Sequence, residues 1–240
     1  MIWLRSALFA ATLCITTPVF SLIALATFPF SALTRYRIIT QWSRLTIFFA
    51  RVILGIRYRV LGLERLPARP SVVLSKHQSA WETLAFQEIF PPQVIVVKKS
   101  LLYIPFFGWG LAMLSPIAVN RRSPRESLKQ LLRQGKERLA RGFWVIVYPE
   151  GTRVAPGERG RYQVGGAWLA AQTGTPVVPV AVNAGRLWGR NAFLKRPGLV
   201  TVSIGEPIDT AGLKAEEVLH RAEDWIEAEM QRIDRASEEG

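Results

Sequence analysis

His77 and Glu82 stand with four residues between them in the run His77-Gln78-Ser79-Ala80-Trp81-Glu82. A histidine oriented by a carboxylate is the pairing that moves protons in acyl transfer. On a regular helix residues five apart diverge by about 140° at 3.6 residues per turn, so the two side chains meet only if His77 lies on the turn before the helix. Ser79, three residues ahead of Glu82, has the capping-box spacing and puts the helix start between them. So placed, the carboxylate holds one imidazole nitrogen while the other faces a substrate. Spacing alone fits equally well a Glu82 that only caps and a His77 that only turns the chain.

A second group is Val147-Tyr148-Pro149-Glu150-Gly151-Thr152-Arg153, a buried strand running into proline, glycine and charge. This puts Glu150 and Arg153 at a sheet edge, where α/β folds bind ligands. Arg153 can fork a phosphate bidentately and Gly151 lets backbone amides approach it; a plain Glu150–Arg153 salt bridge is the competing reading. A third group, Ser115 to Arg122, is a short strand ending in Asn120, Arg121 and Arg122. Other chemistries lack their signatures. There is no Gly-x-Ser-x-Gly elbow, and Gly135-Lys136 lacks the rest of a phosphate-binding loop. Gly108-Trp109-Gly110 meets Met113 where a dinucleotide site wants glycine or alanine. One cysteine and two histidines leave no multi-cysteine zinc site, histidine-rich metal centre or internal disulfide.

Alternating strands and helices must position these residues. Arg57–Leu63, Ser71–Ser75, Val94–Val97, Pro116–Val119, Phe143–Tyr148, Val177–Val182 and Val200–Ile204 read as strands. Ala80–Ile89, Phe106–Leu114, a helix capped by Ser123 and running to about Arg141, and an amphipathic Leu213–Ile233 read as helices. Pro156–Gly166, rich in glycine and arginine, reads as a loop. The alternation predicts an α/β fold with a mostly parallel central sheet flanked by helices.

A membrane-embedded helical segment precedes that layer. Between Arg5 and Arg35 run 29 uncharged residues. As a helix they extend about 43 Å, against a hydrocarbon core of about 30 Å. They can span with tilt, or turn back at Pro18 or Pro29. Leu45 to Ile56 is too short to span and reads as interfacial or re-entrant. Ala24-Leu25-Ala26 resembles a signal cleavage site, but the apolar run continues past it. The division expected is an anchor over residues 1–56 and an α/β domain over 57–240. Arg35, Arg37, Arg44, Arg51, Arg57 and Arg59 place that domain on the cytosolic side of the inner membrane.

The 240 residues carry a net charge of +13, although residues 213–240 hold 9 acids against 4 bases. No acid precedes Glu64. So basic a body calls for an anionic partner, and the apolar amino terminus favours a membrane over nucleic acid. A non-catalytic, membrane-tethered binder of anionic lipid or nucleic acid explains the charge, but not the ordered chemical segments.

In that order the segments resemble the 1-acyl-glycerol-3-phosphate acyltransferase family of bacterial type. His77 through Glu82 resembles its histidine–acid motif, with glutamate where aspartate is usual. Ile117 through Arg121 resembles its second motif, with Asn120 where aspartate is common. Pro149 through Arg153 matches its third, and Val178-Pro179-Val180 its fourth. The resemblance covers roughly residues 60–205. It implies that an acyl thioester, acyl-coenzyme A or acyl carrier protein, serves as co-substrate with no bound cofactor or metal. It further implies His77 as general base, Glu82 as its orienter, and Asn120, Arg121, Glu150, Gly151, Thr152 and Arg153 around the acceptor phosphate. Lys98 and Pro179 fall to substrate binding by the same likeness. Other acceptors, such as glycerol 3-phosphate, another lysophospholipid, a lyso-ornithine lipid or a lipid A precursor, fit the motifs as well.

Overall fold

The computed structural model describes residues 1–120 and 123–238. Seven strands form one sheet: β1 (Ile56–Leu61), β2 (Val72–Ser75), β3 (Gln93–Lys98), β4 (Ile117–Val119), β5 (Trp144–Val147), β6 (Val177–Val182) and β7 (Gly198–Ile204). Their spatial order is β1-β7-β6-β2-β5-β3-β4, and every pair is parallel except β6 with β7. All seven strands expected from the sequence are present. β2 lies at the centre between β5 and β6, which is why its residues are apolar on both faces.

Period-two alternation divides the core between the two faces. Val72 and Leu74 point into one cluster with Val145 and Val147; Val73 points into the other with Ile146. Helices α5 (Pro124–Ala140), α6 (Gly165–Thr173) and α7 (Ala215–Glu238) cover the first face. On α7, Val218, Ala222, Ile226, Met230 and Ile233 recur at helical spacing and are buried against the sheet. The second face takes α3 (Trp81–Ile89) and the amino-terminal helices.

Two elements depart from the sequence expectations. α6 begins on Gly165-Gly166, which reads as loop. The pair permits close packing instead: a Cβ on Gly166 would lie 2.6 Å from Leu74 Cδ2 and 3.1 Å from Val147 Cβ. α5 starts at Pro124 after Ser123, as expected, but the Ser123 side chain makes no capping bond. The start is held by the Asn120 carbonyl, which accepts from the Ser123 N–H (3.0 Å) and the Ser127 hydroxyl (2.6 Å).

The amino terminus is a helical hairpin. α1 (Ile2–Ala26) runs through Pro18 unbroken, and the chain reverses at residues 27–31, which contain Pro29. α2 (Ala32–Phe49) follows, capped by the Ser31 hydroxyl accepting from the Thr34 N–H at 3.2 Å. The stretch Leu45–Ile56 is the end of α2, a π-helical turn over Ala50–Leu54 and the first residue of β1. α1 is long and apolar enough to cross a membrane by length and composition. It is nevertheless tied to the body near both ends. The Lys195 N–H donates to Ser6 Oγ (3.0 Å), Phe9 packs edge-on against Trp188, and the Ser21 hydroxyl donates to the Phe106 carbonyl (2.7 Å). The outward side of the hairpin exposes Leu4, Leu8, Ile15, Val19, Leu22 and Phe28.

Candidate active site

His77 leaves the carboxyl end of β2 on an extended turn and Glu82 enters from the first turn of α3. Their side chains meet at 2.9 Å, His77 Nδ1 to Glu82 Oε1. The same oxygen accepts the N–H groups of Gln78 (2.8 Å) and Ser79 (2.7 Å), while Ser79 Oγ accepts the Trp81 N–H (3.1 Å). The carboxylate therefore caps α3 and orients the imidazole at once, so the two readings left open by spacing coexist. Glu82 is wholly buried and His77 keeps 13% of its side chain exposed. One oxygen thus faces the His77 ring and two main-chain donors. In the neutral imidazole, donation from Nδ1 to this carboxylate leaves Nε2 as the nitrogen without a proton.

The imidazole rests on Tyr148, ring centroids 4.0 Å apart and planes 20° from parallel. Burial, seconded by the Glu82 charge, holds the Tyr148 phenol well above its ordinary range, so a neutral ring backs the base. Tyr148 precedes Pro149 in the second chemical segment. Nothing in that position marked it as a platform.

Pro149–Arg153 turns away from β5 with Gly151 at φ +68°, where open space surrounds the missing Cβ. His77, Lys98, Glu150, Gly151, Thr152 and Arg153 all line one cavity of about 690 Å3. Its polar mouth continues into an apolar interior walled by Phe20 of α1, Trp42 of α2, Leu84 of α3, Leu111 of α4 (Phe107–Met113) and Leu128 of α5. Thr152 and Lys98 are exposed at the mouth and Arg153 is half-buried there.

Other expected site residues stand elsewhere. Pro179 is buried inside β6, in register with Leu74, and does not line the cavity. Asn120 is exposed at the end of β4 with its carbonyl engaged by α5. Arg121 lies outside the described residues. Glu150 does line the cavity, but its ion pair is with Lys76, at 2.8 Å. Among the described residues there is no group of three metal-ligating side chains.

A histidine bonded to a buried carboxylate, on a cavity that Arg153 also lines and whose interior is apolar, is an arrangement suited to acyl transfer on chain-bearing molecules. A family model described as Acyltransferase matches residues 57–183. Over 209 residues the chain is 46% identical to the 1-acyl-sn-glycerol-3-phosphate acyltransferase of Pseudomonas aeruginosa, covering 85% of this chain and 80% of that one. The enzyme of the same name from Saccharomyces cerevisiae is 31% identical over 194 residues, 77% of this chain and 63% of its own. The crystal structure of the 1-acyl-sn-glycerophosphate (LPA) acyltransferase PlsC from Thermotoga maritima shares the fold, with a TM-score of 0.78. At 22% identity that match covers 97% of this chain and 95% of the other. The chain belongs to the Acyltransferase family.

Proposed function

We propose that this protein moves a fatty acyl group from a thioester to the free hydroxyl of 1-acyl-sn-glycerol-3-phosphate, giving phosphatidic acid for phospholipid synthesis. The observation that carries this reading is the 2.9 Å bond between His77 Nδ1 and a fully buried Glu82, at the mouth of an apolar cavity. The relatives named for this reaction supply the acceptor.

His77 Nε2 takes the hydroxyl proton as the acceptor oxygen attacks the thioester carbonyl. The imidazolium so formed is stabilised by Glu82 and returns its proton to the departing thiolate. Arg153 and Lys98, with the Thr152 hydroxyl, hold the acceptor phosphate; the Gly151 N–H is already donated to the Tyr148 carbonyl at 2.9 Å and shapes the turn instead. A hydrocarbon chain occupies the interior between α1, α2 and α4. Each step falls to side chains of this chain, with acyl-coenzyme A or acyl carrier protein as co-substrate.

The exposed apolar side of the α1–α2 hairpin supports residence in a leaflet. We infer the cytosolic side of the inner membrane from the arginines that follow α1, each contributing about 1 kcal/mol near an anionic surface. The test is acyl transfer by detergent-purified protein given lysophosphatidic acid and a long-chain acyl-coenzyme A, wild type beside His77→Ala. Phosphatidic acid from wild type, with a loss of at least ~10² in the variant, is the outcome expected. Equal product from both would remove His77 from the chemistry. No product from either would send the search to acyl carrier protein thioesters and other lysolipids.

A further inference from the structure

We infer that Glu150 is a positioning residue rather than a phosphate or glycerol ligand, and that with Lys76 and Glu227 it forms a buried ion cluster setting the main chain of His77. The inference rests on the role of His77 proposed above. The alternation that sends Val72 and Leu74 toward α7 sends Lys76 the same way, away from the cavity. Lys76 is buried, and its Nζ donates to Glu150 Oε1 (2.8 Å), Glu227 Oε1 on α7 (2.8 Å) and the Glu158 carbonyl (2.9 Å). Tyr162 closes the cluster, its hydroxyl donating to Glu227 Oε1 at 2.7 Å.

Both oxygens of Glu150 are thereby engaged. Oε1 takes Lys76 and the Gly160 N–H (3.1 Å), and Oε2 takes the N–H of His77 (3.1 Å). From the other side the Val154 N–H donates to the His77 carbonyl at 2.9 Å. The base is thus gripped through both of its main-chain polar groups by the segment that carries Thr152 and Arg153. Phosphate anchor and base form one unit, and α7 secures it through Glu227. A buried ion cluster adds little net stability over an apolar filling of the same space. What it supplies here is a fixed separation between the groups that hold the phosphate and the nitrogen that takes the proton.

The test pairs kinetics with a signal that needs no substrate. Lys76→Met, Glu150→Gln and Glu227→Gln are compared with wild type, and thermal unfolding checks that each folds. Glu227 is partly exposed, so Glu227→Gln keeps the test alive should the fully buried variants fail to fold. A 1 Å misplacement of reacting groups can cost roughly 10²-fold, and Glu150→Gln is expected to lower kcat by that order with acceptor KM within about twofold. Glu227→Gln, farther out, is expected to lower kcat roughly tenfold by the same route. Lys76→Met with Glu150→Gln is expected to be no worse than the worse single change, because the two act as one unit.

With two histidines in the chain, protein labelled with 15N-histidine shows two amide signals. That of His77 is expected to move in Glu227→Gln, although Glu227 lies 150 residues away in sequence and touches the base only through the cluster. A rise in acceptor KM with kcat retained in Glu150→Gln would make Glu150 a substrate ligand and overturn the inference. So would a Glu227→Gln protein with unchanged kcat and an unmoved His77 signal. If wild type fails to acylate lysophosphatidic acid, the proposed reaction falls while the amide signal still decides the coupling.

Discussion

Glu82→Gln isolates the charge of the carboxylate from its geometry. The amide oxygen can keep all three donors of Glu82 Oε1, the N–H groups of Gln78 and Ser79 at 2.8 and 2.7 Å and the His77 Nδ1–H at 2.9 Å. The amide nitrogen then takes the place of Oε2, which has no protein partner. The α3 start therefore survives, and what disappears is the negative charge facing the imidazolium in the transition state. At about 4 Å between charge centres and an effective dielectric near 20, that attraction is about 4 kcal/mol; hydrogen bonds to charged groups measure about 1.5–3 kcal/mol. Taking about 2–4 kcal/mol, kcat should fall roughly 30- to 10³-fold at 1.36 kcal/mol per decade. Acceptor KM should hold, because Glu82 is sealed from the cavity and touches no substrate. The assay follows phosphatidic acid and released thiol in mixed micelles across acceptor concentrations, with thermal unfolding as a folding control. A folded Glu82→Gln enzyme within threefold of wild type kcat would refute the argument that this carboxylate stabilises the imidazolium.

Arg153→Ala should raise acceptor KM roughly 10²-fold, the value of a charge-assisted phosphate contact of about 2–3 kcal/mol, and Arg153→Lys should recover only part; steady-state kinetics against the acceptor decides. Glu229 links α7 to β7 through the Ser203 hydroxyl and pairs with Arg232 one turn along α7 (2.8 Å), and the bond to Arg232 holds its carboxyl below the usual value. Its contribution to stability is complete above an unfolded value near 4.5 and is lost as pH falls through the lower folded value. The melting temperature should drop across that acid window, and less steeply in Glu229→Gln. Cys14, the chain's one cysteine, is exposed midway along α1. In lipid vesicles it should resist a membrane-impermeant maleimide that modifies it in denaturant; equal reaction in both would take α1 out of the bilayer.

The site was legible in sequence where chemistry and local geometry coincide. Capping-box spacing put the start of α3 between His77 and Glu82 and so allowed the pair, while leaving open a Glu82 that only caps; the 2.9 Å bond shows it doing both. The segment from Pro149 to Arg153 was legible because a buried strand cannot continue through proline, glycine and charge. The partner of Glu150 was not legible, since nothing local distinguishes Lys76 from a solvated lysine, and Glu227 reaches it only once α7 has folded over β6. Pro179 illustrates the reverse: a motif match that the fold buries in mid-sheet, on the strand next to the one that leads into His77 and away from the cavity lining. α6 was hidden because glycine ordinarily marks loops, whereas Gly166 is there to let helix and sheet touch. The amino terminus could be recognised as apolar, but not as part of the body, since Ser6, Phe9 and Ser21 find partners far along the chain.

That docking of α1 has a consequence for how the protein can change. Thr17, Phe20 and Ser21 of α1 and Ile39, Trp42 and Ser43 of α2 are walls of the cavity as well as members of the hairpin. Removing the hairpin to gain a freely soluble enzyme would unroof the reaction chamber, so solubility and turnover cannot be separated by truncation. A drift in the bulk of those six side chains would alter the space available inside and the seating of the helices together. Adaptation to a bilayer of different thickness and to hydrocarbon tails of different length would then be written into the same few codons.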